Sequence, residues 1–398
     1  MSDHSEAQAL VDRLLQEHDP KTSEPADFWG AQYDLGLAWV DFPVGLGGRG
    51  WAREMQDVVD DRLHAAGAPV NRFTNFPGIG MAAPTLHAYA PVEDQERLLR
   101  PIFTCEEIWC QLFSEPGAGS DVASLATRAV RDGDEWVITG QKVWATLAHV
   151  ARWGLLIARD DPQKPKHRGL TYFYVDMRAP GVEVRPLRQI TGSADFNEVF
   201  LHEVRVPDRQ RLGEVGEGWR VAMTTLNSER SALGDLAHDA PGTGPIRRAV
   251  ELYRERGGHD PILRDRLARL WIQSEVVRLT SMRAQARRER GEAGPEGAVL
   301  KLVVSQFQQR LYELCVDLLG AEAMLVSDYA ATQPTKILES NSGEGDLDIV
   351  KTFLRTRSAT IAGGTSEIAR NTIGERVLGL PPEPRADKDL PWAEVPRS

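Results

Sequence analysis

The spacing of apolar residues changes twice along this chain, and that change constrains the fold more than any single motif does. In the first 110 or so residues the spacing is helical. Ala7, Leu10, Val11, Leu14 and Leu15 lie on one face of a helix ending near Pro20. Trp51–Ala66 and Pro91–Ile102 predict further helices, the second opening with a proline followed by acidic residues. Short runs rich in branched and aromatic residues follow: Glu135–Thr139, Leu155–Ala158, Thr171–Asp176, Val182–Leu187 and Val199–Val206. Turn clusters separate them, at Asp132-Gly133-Asp134, His167-Arg168-Gly169 and Ala179-Pro180-Gly181, which predicts a compact antiparallel β domain in the form of a small barrel. After Gly218-Trp219 the helical period returns. Leu263, Leu267, Leu270, Ser274 and Val277 form one stripe, and Leu300, Val303, Phe307, Leu311, Leu314 and Leu318 form another on a helix starting after Gly297. Such stripes belong to a helix bundle. Asp235–Thr243 and Gly257–Pro261 read as loops. The expected organisation is therefore a helical domain over residues 1–110, a β domain over 111–216, a helical bundle over 217–380 and a proline-rich, charged tail over 381–398.

Composition removes several classes of function. The formal net charge of −11 and pI near 5.4 give a nucleic-acid role little electrostatic support. The basic run Arg283–Arg290 is mixed with glutamate and alanine, as at a solvated helix end. No apolar run approaches the roughly 18–20 residues that span a bilayer. The opening Met1–Glu6 lacks the basic region and apolar core of a signal peptide. Cys105, Cys110 and Cys315 make no disulfide framework and no zinc site, and read as free thiols of a cytoplasmic protein. His149 and His202 read as structural groups.

Two runs carry the chemistry. Gln111–Val122 (QLFSEPGAGSDV) is a loop: Pro116 blocks a helix, and Gly117 and Gly119 permit backbone angles that side chains forbid. Its small residues let a flat or anionic ligand approach, with Ser114 and Ser120 as hydroxyl donors. Gln141-Lys142-Val143-Trp144-Ala145-Thr146 sets an indole and a hydroxyl two residues apart. The glycines of Leu37–Gly50 superficially look like a dinucleotide fingerprint, but Pro43 and the spacing make this a helix–helix connector.

Ser-Glu-Pro-Gly-Ala-Gly-Ser-Asp followed by Gly-Gln-Lys-Val-Trp-Ala-Thr resembles the flavin-cradling segment of the acyl-CoA dehydrogenase family. Near the other end, Ile361–Asn371 and Glu375–Pro381 resemble the same family's C-terminal motif, so the resemblance covers nearly the whole chain. It implies an α+β multidomain fold with an N-terminal helical domain, a small middle β-barrel and a C-terminal four-helix bundle. It implies FAD as cofactor, with Ser114 and Thr146 at the isoalloxazine, Trp144 over its face, Ser120 near the pyrophosphate, and further contacts from Phe113, Gly119, Thr365 and Glu367. Ser120 and Arg230 become expected substrate contacts.

Family members remove an α-proton and a β-hydride from an acyl-CoA thioester, the hydride passing to flavin N5. Many carry the base immediately before Gly-Thr in the C-terminal motif, where this chain has Gly363. Others carry it in a Leu-x-x-Glu-Arg run on the first bundle helix, here Leu226–Arg230. The resemblance thus implies Glu229 as base, near the start of that helix, and leaves Gly363 its backbone N–H for the thioester oxygen. The family's Arg-x-Gln-Phe-Gly run is missing, replaced by Asp260–Ala268, and Asp317 stands where a glutamine is usual. These departures resemble actinobacterial members acting on steroid side-chain and other bulky acyl-CoA thioesters, which often assemble from two different subunits. The implied partners are an acyl-CoA, an electron acceptor such as an electron-transfer flavoprotein, and further chains in a homotetramer or an α2β2 heterotetramer. A non-catalytic subunit completing a partner's flavin site, and a flavin oxidase or monooxygenase on the same fold, stay open as alternatives. Glu229 beside an intact flavin segment argues against the first, and oxygen reactivity would separate the second.

Overall fold

A computed structural model of the chain describes residues 3–234, 241–257, 260–288, 290, 294, 296–325, 333–336, 349–382, 384–385 and 387–396. The loop expected at Asp235–Thr243 lies mostly outside the described residues, as does part of that at Gly257–Pro261. Five α-helices open the fold: α1 (Asp3–Glu17), α2 (Pro25–Asp34), α3 (Met55–Ala65), α4 (Ala83–Tyr89) and α5 (Val92–Phe103). Leu37–Gly50 connects α2 and α3 without a helix of its own.

Eight strands follow: β1 (Trp109–Leu112), β2 (Arg128–Asp132), β3 (Glu135–Lys142), β4 (Trp153–Arg159), β5 (Leu170–Asp176), β6 (Val182–Leu187), β7 (Phe196–Pro207) and β8 (Arg211–Leu212). They form one sheet ordered β6-β7-β3-β2-β4-β5-β8, with β1 also on β4. Most pairs are antiparallel, but β1 and β2 both meet β4 in parallel, so the sheet is mixed rather than wholly antiparallel. Strand β4, which takes both parallel partners, is buried along its whole length. Leu155 and Ile157 join the core of the N-terminal helices, while Leu156 and Ala158 face a second core with Ile138, Phe173, Val199 and Val204. A strand covered on both faces reads as a continuous apolar run and not as an alternating one.

The chain then returns to helices: α6 (Gly218–Gly234), α7 (Pro245–Leu252), α8 (Pro261–Arg288), α9 (Glu296–Leu319), α10 (Ile349–Thr356) and α11 (Ser366–Thr372). The C-terminal part of the predicted stripe on α9 is core, with Phe307, Leu311, Leu314 and Leu318 packed on Ile246, Leu252, Leu267 and Leu270, whereas Leu300 and Val303 are half-buried. Helix α6 touches α9 and also packs against β5 and α4. Its Thr225 hydroxyl lies 2.9 Å from both the Thr85 hydroxyl and the Tyr172 hydroxyl. No described helix is long and apolar enough to cross a membrane.

Candidate active site

The loop after β1 folds back as a narrow turn, with Glu115 and Ala118 exchanging backbone hydrogen bonds at 3.1 and 3.0 Å. A buried ion pair holds its base. Lys142, fully buried, donates to the Phe113 carbonyl at 3.0 Å and to Glu115 Oε1 at 2.8 Å. The Glu115 carboxylate also accepts the N–H groups of Ala126 and Thr127, at 2.6 and 2.9 Å. Burial alone would raise the Glu115 carboxyl, yet Lys142 and these donors hold it below its ordinary value. Burial lowers the Lys142 ammonium, against the pull of Glu115.

Gly117 and Gly119 differ from expectation: neither has a positive φ, and a Cβ at either would meet nothing within 4 Å. Their smallness keeps an exposed surface open and does not serve a forbidden torsion. The strained backbone lies next door instead. Trp144 has φ 62° and Leu147 φ 59°, both non-glycine residues in the left-handed region. Neighbouring backbone bonds fix them: the Val143 N–H donates to the Ser114 carbonyl at 2.9 Å, Ala145 exchanges bonds with Asn197, and the Leu147 N–H donates to the Asp195 carbonyl at 2.9 Å. The result is an indole that is 57% exposed, edge-on to Phe196, beside a half-buried Thr146. Ser114 is half-buried, Ser120 exposed, and Phe113 buried edge-on to Tyr172.

Tyr172 links this half to the other. Its hydroxyl partner Thr225 lies one helical turn before Glu229 on α6. Glu229 sits in the last third of that helix, not near its start, because the helix already begins at Gly218. Its carboxylate is half-buried and faces Gly363: a Cβ built there would stand 3.9 Å from Glu229 Oε1 and 4.0 Å from Lys301 Cε. The two positions expected to supply a base thus converge, although they come from α6 and from the loop before α11. Gly363 has φ +64°, a torsion suited to glycine.

Lys301, on α9, is the member that motif reading missed. It is half-buried, donates to the Ala359 carbonyl and feels the Glu229 carboxylate; burial lowers its pKa and Glu229 opposes this. Its signal in sequence was a lone lysine between Val299-Leu300 and Leu302-Val303-Val304. Thr365 caps α11, its hydroxyl accepting the Ile368 N–H at 3.2 Å, and Glu367 is exposed and paired with Arg370. The side chain of Arg230 lies outside the described residues. His149 is structural, lying 3.1 Å from the Asn197 amide and 3.0 Å from the Pro334 carbonyl.

A family model for the acyl-CoA dehydrogenase middle domain matches residues 110–204, and one for the acyl-CoA dehydrogenase C-terminal domain matches residues 216–378. Acyl-CoA dehydrogenase IpdE1 of Mycobacterium tuberculosis is 39% identical over 354 residues, 87% of this chain and 86% of that protein. Among solved structures, the Tcur3481-Tcur3483 steroid ACAD matches with TM-score 0.73 and 26% identity, covering 96% of this chain and 99% of its own. The ChsE4-ChsE5 complex of Mycobacterium tuberculosis matches with TM-score 0.69 and 27% identity, covering 96% and 98%.

Proposed function

The chain belongs to the acyl-CoA dehydrogenase family and is an oxidoreductase of that class; from that premise we propose an FAD-dependent α,β-dehydrogenation of a bulky or branched acyl-CoA, with Glu229 as the base. The observation that carries this reading is the approach of the Glu229 carboxylate to the side-chain position that Gly363 leaves empty.

The residues present fit a flavin. The open surface at Gly117 and Gly119, the exposed indole of Trp144 and the half-buried hydroxyls of Ser114 and Thr146, tied together by the Val143–Ser114 bond, would hold a flat, anionic group. Phe113, Ser120, Thr365 and Glu367 are its further proposed contacts. FAD, when bound, supplies the two-electron acceptor.

Glu229 takes the α-proton: the Cα–H bond breaks, the proton moves to a carboxylate oxygen, and the electron pair shifts toward the thioester carbonyl. The Gly363 N–H then stabilises the charge developing on that oxygen, a contribution of about 3–4 kcal/mol for a well-aimed donor. The lack of a side chain at 363 leaves room beside the carboxylate for a branched acyl group. The name of the steroid ACAD supports a bulky substrate, and the pairing of two chains in its name and in that of the ChsE4-ChsE5 complex supports assembly with a second chain. An electron-transfer flavoprotein is the proposed acceptor.

Anaerobic mixing with a panel of acyl-CoAs tests the reading. The purified protein should be yellow, and a bulky acyl-CoA should bleach its flavin. A protein that takes up no FAD, alone or with a partner chain, or a flavin that no acyl-CoA reduces, overturns it.

A further inference from the structure

The described tail does not trail into solvent. After the exposed residues 378–382, the segment 387–396 returns to the sheet. Pro391 forms a bridge with Pro165, the Trp392 N–H donates to the Lys164 carbonyl at 2.9 Å, and the Ala393 N–H donates to the Pro162 carbonyl at 3.0 Å. Two side chains then reach one short stretch. The Trp392 indole N–H donates to the Ser124 carbonyl at 3.1 Å, and its ring covers the Arg159 guanidinium, with Cζ 4.4 Å from the ring centroid. Arg159 is itself buried and donates to the carbonyls of Ala123 and Leu125, at 2.6 and 3.1 Å. Asp387 shares the Lys166 ammonium with Asp121, at 2.6 and 2.7 Å. Every residue on the receiving side from Asp121 to Leu125 runs directly on from Gly119-Ser120 of the glycine-bearing loop.

We propose that residues 387–395 are a strap that positions the flavin loop from outside, with Trp392 and Asp387 as its positioning residues. The inference rests on the flavin reading above. A loop with two glycines and open surroundings is costly to order, and anchoring it beforehand lowers what a ligand must supply on binding. One end of this loop is anchored internally, through Glu115, Lys142 and the bond between Val143 and Ser114. At the other end Glu115 and Arg159 hold the backbone of Ala123–Thr127 from inside, and the strap adds the bonds to Ser124 and Asp121–Lys166 and covers Arg159. An indole over a desolvated guanidinium is among the stronger contacts available to so short a segment.

The test compares the full-length parent with Trp392→Ala, Trp392→Phe and a chain ending at Pro382. Peptide-resolved hydrogen exchange is measured without flavin, and FAD affinity by fluorescence. Trp392→Ala and the truncation should exchange faster over residues 119–127, with α9 unchanged, and should hold FAD about tenfold more weakly. Trp392→Phe keeps the ring over Arg159 but loses the bond to Ser124, so it should fall between. Parent-like exchange over 119–127 overturns the strap, as does faster exchange there with unchanged FAD affinity. A loss of protection spread equally through α9 also overturns it, since that is a general stability effect. A parent that binds no FAD sinks the flavin reading instead, and the exchange result then decides the strap alone.

Discussion

A carboxylate, an ammonium and a glycine with no side chain meet where α6, α9 and the loop before α11 converge. If Glu229 is the base, Glu229→Gln keeps the shape and removes the basicity. It should retain FAD and ligand binding yet lose at least about 10²-fold in flavin reduction under rapid mixing. Adding Gly363→Glu to that variant should recover part of the rate, since a side chain there begins 3.9 Å from the Glu229 oxygen. Recovery will be incomplete, because φ +64° strains a glutamate backbone that glycine leaves unstrained. Parent-like reduction in Glu229→Gln would show that the proton goes elsewhere. Lys301 leads to a second prediction. Its cation favours the ionised form of the carboxylate it faces, so Lys301→Met should shift the low-pH limb of flavin reduction to higher pH. Lys301→Arg should restore the limb; a purely packing role would leave the limb where it was. The Leu-x-x-Glu-Arg context pointed to Glu229 as a candidate, whereas Lys301 had no such context, since only the packing of α9 against the segment at Ala359 brings it to that carboxylate.

The loop and the strands that bear it depend on one buried pair. Removing one partner of such a pair leaves an uncompensated charge in the interior, at a cost of about 3–5 kcal/mol. Lys142→Met should therefore lower stability by roughly that amount in urea titrations and weaken FAD retention with it. The pH dependence follows from the direction of the Glu115 shift. Its folded carboxyl lies below the ordinary value, so its contribution is present above the unfolded value of about 4.3 and is lost as pH falls through the folded value. In Lys142→Met that acid-linked loss should shrink; an unchanged acid limb would mean that the pair does not support the loop. Strands β3 to β7 were readable from their branched and aromatic runs between turn clusters. The strands β1, β2 and β8 were not. The residues Trp109–Leu112 and Arg211–Leu212 are too short to show a period, and Arg128–Asp132 has three charges around the adjacent pair Ala129-Val130. Helix α2 escaped notice because Phe28, Trp29 and Gly30 sit together in it and blur its apolar face.

At the scale of the whole molecule, the order of helices, sheet and helices was legible because each change of period marks a change of architecture. What the sequence left open was which stripes face a core of this chain. Helix α9 turns Phe307, Leu311, Leu314 and Leu318 of its stripe inward onto α7 and α8. On α8, only Leu267 and Leu270 of the predicted stripe are buried core. Ile272, Val276 and Leu279, spaced by four and three residues along one face, are 53–59% exposed, and Trp271 and Met282 flank them at 42% and 50%. Exposed apolar residues at this spacing, among the described residues, make this face the candidate for a subunit contact. The covering chain is expected to be a second copy or a related subunit, giving a homotetramer or an α2β2 assembly. Light scattering of the purified parent, alone or with such a subunit, should report an oligomer. Ile272→Glu with Leu279→Glu puts two charges on the face without touching Glu229 or the flavin loop, so it should release smaller species and leave the secondary structure intact. A parent that scatters as a stable monomer while loaded with FAD and fully active would show that the face is simply exposed.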